Sequence, residues 1–307
     1  MKRVLCVIFF LFSNIMLGNQ IDELKTVREV EHFIKRFFPE FNKERDENFD
    51  YGNFRIEPDQ IIYNNLDCQN KFDSSEIKNW GKVDINNDGL TDLFFIPHFS
   101  GYYQYFIIDK GKNAFELFLI NDFNSCELSS VIKVNDQNHI KFRRARSTAM
   151  MYPGDLTVTY ETDTLTYKFG TFIELNNKEN IPDLQVEKIE METTTCGGAC
   201  PNFELEIKRN LKTKFYGKLY VRFVGKSESK ITAKEWSEIN TLINYIEVKK
   251  LKDRYVADSF DLPTINLKVT FEDGSVKVID DYGADGTFGL RALYSKLKKI
   301  GMDTKWK

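Results

Sequence analysis

The sequence predicts an α+β protein of two domains, each an antiparallel sheet with one or two packed helices. Three observations lead there. A chain of 307 residues is long for one domain and comfortable for two. Short apolar or alternating runs joined by tight polar turns fill much of each half and read as antiparallel strands. Apolar stripes at three- and four-residue spacing occur once in the first half and twice in the second, and read as helices.

The opening residues bear on location. Lys2 and Arg3 precede an apolar run over 4–12 that includes Cys6; Ser13-Asn14 and a short stretch ending at Gly18 follow. A basic start, a short apolar core and a small residue near the end predict a secretory signal over 1–18, although Met16 stands where a small residue is expected. The core is shorter than the roughly 20 residues that cross a bilayer. No Cys follows it for lipid attachment. The expectation is therefore export to the periplasm, outer envelope or exterior, with no stable transmembrane span after cleavage; an uncleaved anchor is the alternative. The formal net charge of −3 disfavours nucleic acid as a partner, because phosphate binding needs a basic face. The one basic cluster, Arg143, Arg144 and Arg146, reads as a solvated strand face.

Within the first domain, placed at 19–180, Ile21, Leu24, Val27, Val30, Ile34 and Phe37 form one helical stripe, closed by Pro39. His32 lies beside it and reads as a surface residue. Strands are expected over 93–96, 102–108 and 115–120, the last two joined by the turn Asp109-Lys110-Gly111-Lys112. Residues 156–160 and 165–169 alternate across Glu161-Thr162-Asp163-Thr164 and predict a second hairpin. The polar segment 175–183, with its Asn run and Pro182, marks the boundary.

In the second domain, placed at 184–307, Phe203, Leu205 and Ile207 alternate with charged residues as a half-buried strand. Thr232 and Glu235 have capping-box spacing, and Trp236, Ile239, Ile243 and Ile246 follow as a buried helical face. Ile265, Leu267, Val269 and Phe271 form another strand. Glu272-Asp273-Gly274 turns it into 276–279. Leu290, Leu293, Leu297 and Ile300 line a last helix; Lys296, Lys298 and Lys299 complement its dipole, and Gly301 is expected to stop it. The predicted order is strand-strand-helix-strand-strand-helix.

One motif carries clear chemistry. Asp84, Asn86 and Asp88 occupy positions 1, 3 and 5 of a loop, Gly89 gives the sharp turn at position 6, Leu90 offers its carbonyl and Asp92 closes the set. Alternate oxygens converging on a cation suit a hard ion, and calcium tolerates irregular geometry. Phe95 replaces the Glu of a complete EF-hand. The spacing resembles the calcium loop of FG-GAP and VCBS-type repeats, which implies one structural Ca2+ held by Asp84, Asn86, Asp88, Leu90 and Asp92. No second copy is present, so the resemblance does not extend to a propeller fold. An Asx-rich turn without metal is the alternative.

Beyond the signal lie Cys68, Cys126, Cys196 and Cys200, an even number that favours disulfides in an exported protein. Pairing within each half is expected. For Thr195-Cys196-Gly197-Gly198-Ala199-Cys200-Pro201, three readings stay open. A disulfide closing a tight turn would be worth about 2 kcal/mol on the loop-entropy model. Thiol redox chemistry is the second, with three intervening residues where the usual motif has two. Metal binding is the third, although His32, His98 and His139 all precede the motif. From about residue 186 to 302, the chain resembles an exported domain family of unknown function from Bacteroidota. Cys196, Gly198, Cys200, Pro201 and Phe203 match its Cys-x-Gly-x-Cys-Pro hallmark, and Asp258 or Asp261 its Asp after the central helix. The resemblance implies no activity.

Asp258, Asp261, Asp280, Asp281 and Asp285 lie near strand ends, where paired carboxylates can act in glycoside hydrolysis; acidic turns are the simpler reading. His98 adjoins Phe99, Tyr102, Tyr103 and Tyr105, which suit a sugar- or peptide-binding face or, more simply, a core strand. No Gly-rich phosphate loop or Ser nucleophile elbow occurs. The leading expectation is a non-enzymatic envelope or periplasmic protein that binds or assembles with a protein or glycan partner. The alternatives are an exported hydrolase using the second-domain carboxylates and a thiol oxidoreductase using Cys196 and Cys200.

Overall fold

A computed structural model of the chain describes residues 20–42, 54–65, 73–98, 101–122, 127–147, 158–181, 183–257 and 259–306. The signal-like segment 1–18 lies outside the described residues, as do Cys68, Cys126, Phe99, Pro182 and Asp258. The fold is α+β: mostly antiparallel sheets with a few helices, in two sheet-rich regions.

Helix α1 spans Val27–Phe37 and therefore starts well after Ile21. Its start is set by a capping box. The Thr26 hydroxyl accepts from the Glu29 N–H (3.3 Å), and Glu29 accepts from the N–H of Thr26 (2.9 Å). Ile21 and Leu24 are buried all the same, in a preceding turn where the Leu24 N–H donates to the Ile21 carbonyl (3.1 Å). Two further pieces escape the periodicity, β1 (Arg55–Ile56) and the short helix α2 (Asp59–Asn64). Strands β2 (Trp80–Val83), β3 (Asp92–Phe95), β5 (Tyr103–Asp109) and β6 (Phe115–Asp122) form an antiparallel sheet in the order β2-β3-β5-β6; β4 (Pro97–His98) pairs with β1. Val30, Phe33 and Ile34 of α1 pack on Leu93, Phe95 and Ile107 of this sheet.

The next sheet corrects one expectation. The hairpin expected about 161–164 is not formed: β9 runs unbroken over Val158–Lys168 and pairs with β8 (Gln137–Ser147). Nothing in Glu161-Thr162-Asp163-Thr164 favours a positive φ, and Thr suits a pleated strand. Opposite them, Arg144 holds Glu161 (3.4 Å). The turn comes later, at Phe169-Gly170 (φ 56° and 79°), which leads into β10 (Thr171–Glu174). With β7 (Leu128–Val134) the sheet order is β10-β9-β8-β7. Phe106 and Ile108 of the first sheet meet Ile140, Phe142, Leu165 and Phe172 of this one.

The second region holds more strands than the predicted order allowed. β11 (Val186–Thr193), β12 (Asn202–Lys208), β13 (Lys212–Leu219) and β14 (Gly225–Lys230) precede α3 (Ala233–Tyr245); β15 (Arg254–Val256), β16 (Thr264–Phe271) and β17 (Val276–Tyr282) follow it. They make one seven-stranded sheet, β14-β13-β12-β11-β16-β17-β15, antiparallel except for β15 on β17. The Thr232–Glu235 capping box is present. Both α3 and α4 (Phe288–Asp303) cover one face, where Ile239, Leu242, Leu293 and Leu297 meet Met191, Leu205, Ile207 and Leu267. Gly301 does not end α4, which continues to Asp303. A side chain at Gly301 would come within 3.1 Å of the Phe203 ring, so this glycine lets the helix approach the sheet.

The segment between the two regions is not slack. The Asn176 N–H donates to the Tyr245 hydroxyl (3.0 Å), and Asn244 of α3 brackets Leu184, accepting from its N–H and donating to its carbonyl (both 2.9 Å). Core packing crosses it as well: Ile173 of β10 belongs to the second core, and Phe288 of α4 stands edge-on to Phe142 of β8 (4.9 Å).

Candidate functional site

In loop 84–92, Asp84 accepts from the N–H groups of Asp88 (3.0 Å) and Gly89 (2.9 Å), Asn86 from Asp88 (3.0 Å), and Asp88 from Leu90 (2.9 Å). The side chain of Asn87, at φ 57°, donates to the Asn138 carbonyl (3.0 Å) and accepts from the Asn138 N–H (2.8 Å), and the Asn138 side chain donates to the Asp84 carbonyl (2.8 Å), docking the loop on the start of β8. Thus the side-chain oxygens of Asp84, Asn86 and Asp88 gather on one curled loop, and the donor chemistry suits a hard cation. Asp92 is different. It is fully buried; one carboxylate oxygen accepts from Asp109 (2.8 Å), the other from Ile85 (2.9 Å) and Asn86 (3.4 Å). Burial pushes its carboxyl up to about 7, against the opposing pull of those three N–H groups. Its structural task is to clamp the loop to the end of β5. Among the described residues, no group of three His, Cys, Asp or Glu side chains is arranged to hold a metal, so a loop cation would draw on the mixed set of Asp84, Asn86, Asp88 and the Leu90 carbonyl, with Asp92 behind it.

The second-domain carboxylates are dispersed. Asp280 and Asp281 are successive residues of β17 and so point to opposite faces. Asp281 is fully buried and accepts from the N–H groups of Asp285 (2.9 Å) and Gly286 (3.2 Å); burial raises its carboxyl. Asp285 lies 3.9 Å from Arg144, and Asp261 sits in the loop before β16 at φ 59°. Among the described residues, these carboxylates serve turns and ion pairs.

Two members of the basic cluster, Arg143 and Arg144, are paired. Arg143 reaches Glu76 (2.6 Å), and Arg144 is buried, not a solvated face residue as its sequence suggested. The aromatic stretch beside His98 is core: Tyr102 is buried, donates to Glu57 and lies 4.7 Å from the His98 ring, while Tyr105 stacks on Phe95.

Cys196 and Cys200 are joined by a disulfide across the β11–β12 connection. The Gly198 N–H donates to the Cys196 Sγ (3.3 Å), and the Gly197 N–H donates to the Asp261 carbonyl (2.9 Å). Among the described residues, no group of three His, Cys, Asp or Glu side chains able to hold a metal includes them.

Sequence reading missed one surface. Opposite the helices, the seven-stranded sheet is open and holds a depression of about 940 Å³ that includes Glu190, Glu204, Glu206, Lys214, Tyr216 and Lys268. Across β11 and β12, Lys188 faces Lys208, Glu190 faces Glu206 and Glu192 faces Glu204. Like charges directly opposite destabilise a sheet. Lysines from flanking strands offset the acidic pairs, with Lys218 bridging Glu192 (3.0 Å) and Glu204 (2.8 Å) and Lys268 reaching Glu190 (3.3 Å). The missed signal was the alternation itself, which assigns the charged residues of each strand to one face.

Residues 187–301 match a family described as a domain of unknown function (DUF6438), a span running from β11 into α4 and containing the disulfide and the open face. No curated protein and no solved structure matches the chain. No helix among the described residues is long and apolar enough to cross a membrane.

Proposed function

We propose that the chain is an exported, calcium-stabilised protein of the envelope or periplasm that acts by binding or assembly. Its two domains divide at 180–184, and a protein or glycan partner rests on the open sheet face of the second. The observation that carries this reading is the run of three like-charge pairs on β11 and β12. Such pairs cost stability in a free sheet, and the half-buried ion pairs with neighbouring lysines offset that cost only in part. A partner bearing its own charged or hydroxyl groups would relieve them. Support for export comes from residues 1–18 and from the resemblance of the Cys196, Gly198, Cys200 and Pro201 pattern to that of exported Bacteroidota domains.

A photo-crosslinking side chain at Tyr216 should give one discrete adduct in intact cells, lost when Lys214→Glu and Lys268→Glu are combined. Equal labelling from Lys234, on the helical side, would sink the proposal. For the ion, calcium at about a hundred times its Kd should add roughly 2.7 kcal/mol, or about 5–10 °C in Tm. Chelator should reverse the rise and Asp88→Ala should remove it. An unchanged Tm in calcium would reduce the loop to a polar turn.

A further inference from the structure

We infer that Cys196 and Cys200 form a thiol–disulfide exchange centre, whose substrate is a protein dithiol docking at this end of the seven-stranded sheet. This activity is independent of the partner on the open face. Four observations converge on it.

The bridge holds little that the fold does not already hold. The Thr193 hydroxyl donates to the Pro201 carbonyl (2.7 Å) and accepts from the Phe203 N–H (3.1 Å), closing the hairpin below the cysteines. The Thr194 hydroxyl accepts from the Thr264 N–H (2.8 Å), fixing the other side. A crosslink between residues four apart closes a short loop and so removes less chain entropy than a long-range bridge would.

The bridge is also reachable. Gly197, Gly198 and Ala199, which span it, are exposed, and none carries more than a methyl group. Both cysteines are themselves partly exposed.

The two sulfurs are not equivalent. Among the described residues, only Cys196 of the pair accepts a backbone N–H, that of Gly198 (3.3 Å). A hydrogen bond to the charged form stabilises a thiolate, so Cys196 is the better leaving group and Cys200 the sulfur to be attacked.

Finally, there is a place for a partner to rest. Phe260 is 76% exposed in the loop that receives Gly197, and Val224 (69%) and Tyr220 (53%) cap the β13–β14 connection. The pairing of Leu219 with Asn202 places that connection at the same sheet end as the bridge. Apolar side chains left open at the sheet end that carries the disulfide suit a protein substrate.

The exchange balances as follows. A substrate thiolate attacks the Cys200 Sγ, forming a mixed disulfide and releasing the electron pair of the broken S–S bond to Cys196 as thiolate. The second substrate thiolate then attacks the substrate sulfur of the mixed disulfide and expels Cys200. The two protons lost by the substrate pass through water to Cys196 and Cys200. The substrate dithiol is oxidised to a disulfide, and this chain's disulfide is reduced by two electrons.

The test uses the oxidised full-length protein in graded buffers of reduced and oxidised glutathione, quenched by alkylation and mapped by mass spectrometry. Both forms of the pair should be populated across the gradient, with trapped glutathione on Cys200, and reduction should lower Tm by no more than about 8 °C. In Cys200→Ser, alkylation of Cys196 should show a pH midpoint below the free-cysteine value of about 8.5. A bridge that stays closed in millimolar reduced glutathione while the protein remains folded overturns the assignment, as does trapped glutathione on Cys196. The first two readouts need only the unmodified chain, so they stand even if Cys200→Ser does not fold.

Discussion

Asp92→Ala should lower the unfolding free energy by about 3–5 kcal/mol, measured by urea unfolding in chelator so that ion loss cannot be the cause. The wild-type carboxylate is fully buried and receives the N–H groups of Ile85, Asn86 and Asp109. Alanine leaves those donors without partners and without water, and each such group costs about 1–3 kcal/mol; the 3.4 Å bond from Asn86 belongs at the low end. Asp92→Asn retains one acceptor oxygen and should cost less than half as much. A loss below 1 kcal/mol for alanine would show that the loop and β5 hold together without this clamp.

Glu174→Ala comes next, at about 2–4 kcal/mol. Helix α4 begins with backbone N–H groups that have no partner inside the helix. Thr287 satisfies Leu290 (3.1 Å), and Glu174, from the other sheet-rich region, satisfies Phe288 (2.5 Å) and Gly289 (2.8 Å). The position favours negative charge, yet burial raises the Glu174 carboxyl above its ordinary value. The sign follows. The folded protein holds this proton more tightly than the unfolded chain, so the associated stability is full below the unfolded pKa and is lost as pH rises through the folded one. Glu174→Gln should therefore flatten the decline in stability just above pH 4–5 while weakening the helix cap. An unchanged pH profile would show that Glu174 does not carry that proton linkage. A fragment beginning at residue 184 should lose the same cap and expose Phe288.

Where one face of an element is buried, its sequence announced it. Phe203, Leu205 and Ile207 alternate because helices cover only one side of β12, and Thr232 and Glu235 stand where the α3 cap needs them. The strands that escaped notice lack that contrast. In β13 the third inward position is Gly217, and β14 buries only Ser227, so neither shows apolar alternation. The unbroken β9 was hidden by a polar Thr-rich centre whose partners lie on β8. The Asp84–Asp92 spacing was legible because it is local. The clamp role of Asp92 depends on Asp109 in another strand, and Glu174 meets α4 across 114 residues; no window of sequence contains such pairs.

The ends of the seven-stranded sheet bear on how these molecules coexist at high concentration. An outer strand offers unpaired amides and carbonyls to any neighbour, and long apolar outer strands seed fibrils. Here one border is β14, whose sequence Gly-Lys-Ser-Glu-Ser-Lys sets a charge at every second residue. The other is β15, three residues long and laid parallel on β17. The first border meets an incoming strand with alternating charge, and the second with a strand only three residues long. The sheet is thus finished at seven strands, and crowding should bring copies of this chain into contact without letting them stack edge to edge.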